Sequence, residues 1–137
     1  MKNPLTHSAG AFRRLLLAVV LALAGVLGLS ATGTAQAQEW TKEEKWTAAA
    51  AIGFTVTDYL QTRHIAKNPH KWRELNPMLP DHPSLGDVNR HFLRSALAGV
   101  ALVHFFPEHR LTILRTVAVF QFGITARNAH LGIRMEF

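Results

Sequence analysis

The run TKEEKWTAAAAIGFTVTDYLQTRHIAK, residues 41–67, decides the architecture. It opens on Thr41-Lys42-Glu43-Glu44. At this spacing a threonine hydroxyl accepts from the amide three residues on, while the glutamate reaches back to the cap amide. No proline follows until Pro69, so a first helix of about 25 residues is expected over 41–66. Next, Asn68–Gly86 holds Pro69, Pro77, Pro80 and Pro83, four of the six prolines, which predicts an irregular loop over 67–84. Leu75, Met78, Leu79 and Leu85 offer this loop apolar anchors, and its prolines reduce the entropy that ordering must overcome. Ser84 and Asp87 repeat the capping-box spacing and start a second helix over 85–106, which Pro107 stops. A third helix is expected over 110–129. Leu131, Ile133, Met135 and Phe137 then alternate with Gly132, Arg134 and Glu136, a period of two that predicts a short extended tail packing its apolar side on the helices. A terminal strand of an outer-membrane barrel would need many alternating strands upstream, and none is visible. The expected fold is all-α: a three-helix up-down-up bundle preceded by an N-terminal signal or anchor helix.

That leader is residues 1–37. A basic start ends at Arg13-Arg14, an apolar stretch covers Leu15–Leu29, and small residues lead to Ala35-Gln36-Ala37, which places signal-peptidase cleavage before Gln38. Residues 38–137 then form one small helical domain. An uncleaved anchor is the alternative, although about 15 apolar residues is short for a span. Of the 15 Lys and Arg, three precede Glu39, leaving 12 bases against 9 acids in residues 38–137 and an excess of +3. The bases are dispersed along the chain, so no nucleic-acid surface is expected. The absence of cysteine excludes disulfides, thiol catalysis and cysteine-based zinc or iron–sulfur sites, and it suits an exported chain.

Uncharged runs within the three helices, Trp46–Thr57, Ser95–Phe106 and Thr116–Ala126, are 12, 12 and 11 residues long. Such lengths more often mark core helices than spans, which favours a periplasmic bundle. Charge placement argues the other way. Arg63, Lys67, Lys71, Arg73, Arg90 and Arg94 separate the first two uncharged runs, whereas Arg110 alone lies between the second run and the third helix. By the positive-inside rule the three helices are expected in the inner membrane, N-terminus out and C-terminus in, with the periplasm as the alternative.

The polar constellation lies at the end of the first helix. Asp58, Gln61 and Thr62 are spaced i, i+3, i+4 and share one helix face. An up-down-up bundle puts Asp58 at the depth of Arg94 and Arg127, so Asp58 is expected to pair with one of them, with Gln61, Thr62 and Asn128 completing a polar network. Glu74, Asn76, Pro77, His82 and Pro83 form a loop segment available to a partner.

The pattern Asp-x-x-Gln-Thr at 58–62, a basic stretch, Glu-x-Asn-Pro at 74–77, His-Pro-Ser at 82–84, and Arg-Asn at 127–128 near a Gly-Ile-Arg-x-x-Phe end resembles a set of small uncharacterised envelope proteins of proteobacteria and some of their phages. The likeness covers most of residues 55–137. It implies a membrane-associated helical protein and, the set having no established activity, transfers no catalytic residues.

Eight histidines raise the question of a metal. No His-Glu-x-x-His occurs and no two histidines stand i, i+4. His91 and His104 are 13 residues apart and so about 140° apart around a helix, too far to face one haem. No metal or cofactor is therefore expected. Ser84 and Ser95 lack a nucleophile-elbow context. Two functions remain: a non-enzymatic accessory or interaction protein of the envelope, with an unidentified envelope protein as a further partner, or a small membrane-embedded hydrolase using Asp58, Glu74 and His82 for acid–base work.

Overall fold

Both capping boxes form as the spacing requires. Thr41 Oγ1 accepts from the Glu44 amide at 3.1 Å and Glu44 Oε2 accepts from the Thr41 amide at 2.7 Å; Ser84 and Asp87 make the same reciprocal pair. The computed structural model describes residues 39–137, so the leader and its cleavage site before Gln38 lie outside the described residues. Helix α1 spans Lys42–Lys67, α2 Leu85–Phe105 and α3 Arg110–His130, with a 3₁₀ turn at Pro107–His109 between the last two. The described residues hold no strand. Each helix end falls within a residue of the expected position, because the signals there are local: a cap at each N-terminus of α1 and α2, and Pro107 after α2.

α1 and α3 lie side by side and run in the same direction. Glu44 meets Arg110, Phe54 meets Phe122 with ring centroids 5.3 Å apart, and the Gln61 side-chain amide donates to the Thr125 carbonyl at 3.2 Å. Residue numbers therefore rise together along both helices. α2 joins through Tyr59, whose ring packs edge-on against Phe92 at 5.3 Å and whose hydroxyl donates to Asn89 Oδ1 at 2.8 Å. Val88, Phe92, Leu60 and Ile65 are buried around this junction.

The tail folds back along α1. Ile133 is buried, and the Glu136 amide donates to the Leu60 carbonyl at 3.1 Å. The Glu136 carboxylate takes a 2.6 Å bond from Lys67 and approaches His64 at 3.5 Å. The Lys67 hydrogen bond holds the Glu136 carboxyl below its ordinary range. Of the apolar residues expected to pack, Leu131, Met135 and Phe137 are exposed. After Gly132, whose φ is the one positive value among the described residues, turns the chain, Ile133 alone of the four is buried.

The loop 67–84 is ordered, only in part by the expected anchors. Leu75 and Met78 are exposed, Leu79 and Leu85 are half-buried, and Pro83 is buried. Polar bonds do the rest. The Glu74 amide donates to the Asp81 carbonyl at 2.8 Å, closing the loop, and the Leu79 amide donates to the Asn76 carbonyl at 3.0 Å. These amides are expected to exchange with deuterium at least about tenfold more slowly than unstructured ones. Exchange of all of them at the free rate would remove the ordered loop.

Among the described residues no helix is long and apolar enough to cross a membrane. The expectation that the three helices span a membrane, N-terminus out and C-terminus in, is therefore corrected. Charges bound each uncharged run at 11 or 12 residues, about 17 Å of helix against the ~30 Å of a hydrocarbon core.

Candidate functional site

Asp58 is 7% exposed and faces inward from α1 toward α3 and the loop. The Gln121 amide and the Thr62 hydroxyl favour its charged form, and its charged neighbour is Glu74. Burial first, and the Glu74 carboxylate second, push the Asp58 carboxyl up to about 7. Two carboxyls therefore approach each other where water is scarce, the arrangement that favours keeping one of them protonated.

Glu74 is fixed by its own loop. One carboxylate oxygen, Oε1, accepts from the amides of Leu75 at 2.9 Å and Asn76 at 2.8 Å. The other, Oε2, is buried and accepts no hydrogen bond among the described residues. Asn76 carries the connection on to α2. Its Oδ1 accepts from the Met78 amide at 3.0 Å, which turns its Nδ2 toward His91 Nε2, 3.1 Å away. His91 therefore accepts at Nε2. On the α3 side, Gln61 is 3% exposed and reaches the Thr125 carbonyl, and Asn128 is buried with its carbonyl accepting the Ile133 amide. Gln61 Oε1 and Gln121 Oε1 are, like Glu74 Oε2, buried acceptors without a donor among the described residues. The centre is rich in acceptors.

The predicted ion pair is corrected. Arg94 and Arg127 are both exposed, and neither is bonded to Asp58. Their depth matches the expectation, since Tyr59 is level with Phe92 and Gln61 with Thr125. Their direction does not: each arginine follows the inward-facing residue, Phe92 or Thr125, by two positions, a rotation of about 200° that points it outward. Gln61, Thr62 and Asn128 do lie in the interior. The hydrolase set is split in the same way, because Asp58 and Glu74 come together while His82 stays exposed. Pro77 is exposed and Pro83 buried, so the loop positions proposed to meet a partner face different ways.

Sequence reasoning missed Gln121, Thr125 and His91. Gln121 was visible in one respect, as the only amide side chain in the uncharged run Thr116–Ala126, with Thr125 one turn further on the same face. Nothing pointed to His91, because its link runs through a loop asparagine. Among the described residues no three metal-ligating side chains gather to hold an ion.

A second feature lies on the outside. Along the uncharged runs, large apolar residues are exposed on all three helices: Trp46 at 70% on α1, Leu97 and Phe105 on α2, Val119 and Phe120 on α3. Ala49, Ala50, Gly53, Ala98, Gly123 and Ala126 are exposed between them. The threonines there turn their hydroxyls inward. Thr47, Thr57 and Thr116 donate to the carbonyls of Glu43, Gly53 and Thr112 at 2.8–2.9 Å, leaving methyl groups outermost. The result is a girdle free of Asp, Glu, Lys and Arg over about 17 Å of helix, with Ser95 and His104 of α2 as exposed polar side chains within it.

Comparison with protein families, with curated proteins and with solved structures gives no match to this chain.

Proposed function

We propose that this is a non-enzymatic accessory component of the bacterial envelope that works by docking: exported, it seats its apolar girdle in the surface of a lipid bilayer without spanning it. The observation that carries the reading is the exposure of Trp46, Leu97, Phe105, Val119 and Phe120 along the uncharged runs of three helices, where the Thr47, Thr57 and Thr116 hydroxyls are satisfied within their own helices. Exposed large apolar side chains gathered on one surface mark interaction or membrane sites, and amphipathic surfaces lie at the boundary of headgroups and acyl chains. The resemblance to small envelope proteins points the same way. Asp58 and its partners form the polar network that joins α1, α3 and the loop behind this surface.

The chain has no cysteine, so an introduced thiol is unique. Full-length Ala49→Cys and Ala98→Cys proteins labelled with bimane are expected to blue-shift on vesicles of a phosphatidylcholine and phosphatidylglycerol mixture, while His82→Cys, in the exposed loop, does not. A bilayer anchored only through residues 1–37 leaves all three labels in water and overturns the reading. A shift that grows with protein concentration in the absence of vesicles assigns the girdle to a second copy of the chain and overturns it equally.

A further inference from the structure

Most acids of the described chain are already engaged. Glu43 pairs with Arg115, Glu44 with Arg110, Asp81 with Arg73, Asp87 with Arg90, and Glu136 with Lys67. Asp58 and Glu74 face each other in the interior. The charge left over is basic. Arg94 and Arg127 are exposed and form no ion pair among the described residues: the only acid of α2, Asp87, is held by Arg90, and α3 carries none.

Their positions are not arbitrary with respect to the girdle. Arg94 immediately precedes the uncharged run Ser95–Phe106 on α2, and Arg127 immediately follows the run Thr116–Ala126 on α3. Because the end of α2 leads through Pro107–His109 into the start of α3, the first residue before one run and the first after the other fall toward the same end of the bundle. Tyr59, Phe92 and Gln61–Thr125 put both at the level where the girdle gives way to the polar interior of Asp58. Long basic side chains at the edge of an apolar surface lay their methylenes on it and carry the charge outward.

Resting on the docking reading above, we infer that Arg94 and Arg127 form a cationic rim that binds the phosphates of anionic phospholipids, so that the girdle selects an anionic bilayer surface over a zwitterionic one. The guanidinium group suits the ligand, since it presents paired donors to a phosphate and is charged at every physiological pH. Buried arginines do not share the role: Arg63 and Arg110 are held inside against Tyr59 and Glu44.

The test uses the full-length chain with the Ala98→Cys bimane label, titrated with vesicles of phosphatidylcholine alone or with phosphatidylglycerol added. Each basic residue near an anionic surface contributes about a fivefold gain in partitioning, the equivalent of about 1 kcal/mol. Arg94→Gln with Arg127→Gln is therefore expected to lower partitioning to anionic vesicles by roughly 20- to 30-fold, and to leave phosphatidylcholine partitioning and the melting temperature unchanged. Lys71→Gln removes the same charge from the loop, away from the girdle, and is expected to change little. Equal losses from Lys71→Gln and from either arginine variant reduce the effect to net charge and overturn the rim. So does a double variant that retains wild-type preference for anionic vesicles. A label that shifts equally on both vesicle types overturns the rim alone, whereas a label that shifts on neither overturns the docking reading beneath it.

Discussion

Asp58→Asn is expected to make the protein more stable above neutral pH, by about 2–4 kcal/mol at pH 8.5, and to remove most of the pH dependence of its unfolding. The Asp58 carboxyl titrates near 7 in the folded protein and at 3.8 without the fold. Between those values the native state holds a proton that the unfolded chain has released. Stability is then greatest below pH 4 as far as this group is concerned, and it declines as pH rises through 7. Three pH units correspond to about 4 kcal/mol. An amide at this position carries no charge to desolvate and none to repel Glu74, and it keeps an oxygen toward Thr62 and Gln121. At pH 4, where the wild-type carboxyl is neutral, the two proteins should agree within about 1 kcal/mol. Urea titrations from pH 4 to 9 decide the matter: parallel curves for the two proteins would mean that Asp58 is not the group responsible. The direction is opposite to that for a carboxylate paired with an arginine, which stabilises the fold most when ionised.

The difference traces to what a sequence can and cannot carry. Thr41-Lys42-Glu43-Glu44, Ser84 with Asp87, and Pro107 act within a few residues of themselves, so the three helix boundaries were legible without any knowledge of packing. Depth was legible too, because it depends only on rise per residue and the order of elements. Azimuth was not. The expectation that Asp58 meets Arg94 or Arg127 placed both arginines at the right height on the wrong side of their helices. That error is natural when α2 and α3 carry apolar residues on nearly every face of Ser95–Phe106 and Thr116–Ala126. A helix with one apolar stripe announces its buried side; these do not, since the girdle takes up apolar residues that would otherwise mark the core. Glu74 and His91 were harder again. Both enter through the loop, where the fold of Glu74-Leu75-Asn76 around its own carboxylate has no periodic signature.

The second large effect is expected at the opposite end of the bundle, where two adjacent glutamates of α1 each reach an arginine of α3. Glu43 meets Arg115 with both side chains 59% exposed, while Glu44 meets Arg110 at 3.6 Å with side-chain exposures of 9% and 7%. Sequence neighbours with the same chemistry and the same partner helix thus differ first in access to water. Exposed pairs contribute about 0–1 kcal/mol because solvent screens them and long side chains lose freedom in forming them. Removing one member of a buried pair costs about 3–5 kcal/mol, since it leaves the other charge desolvated. Arg110 is held there by more than the pair, with its guanidinium 4.6 Å over the Trp40 ring, so it has little room to swing out when the carboxylate goes. Glu44 also closes the cap on the Thr41 amide. Glu44→Ala should therefore lower stability by about 3–5 kcal/mol in urea unfolding, and Glu43→Ala by no more than about 1 kcal/mol. Glu44→Gln separates the two contributions, because its amide oxygen still accepts from Thr41 while the charge is gone. Combining Glu44→Gln with Arg110→Met removes both charges and should recover most of the loss, as replacement of whole buried pairs by uncharged groups commonly does. Equal losses from Glu43→Ala and Glu44→Ala would show that burial does not set the strength of these bridges. A double variant no more stable than Glu44→Gln alone would show that Arg110 is held for its packing against Trp40 and not for its charge.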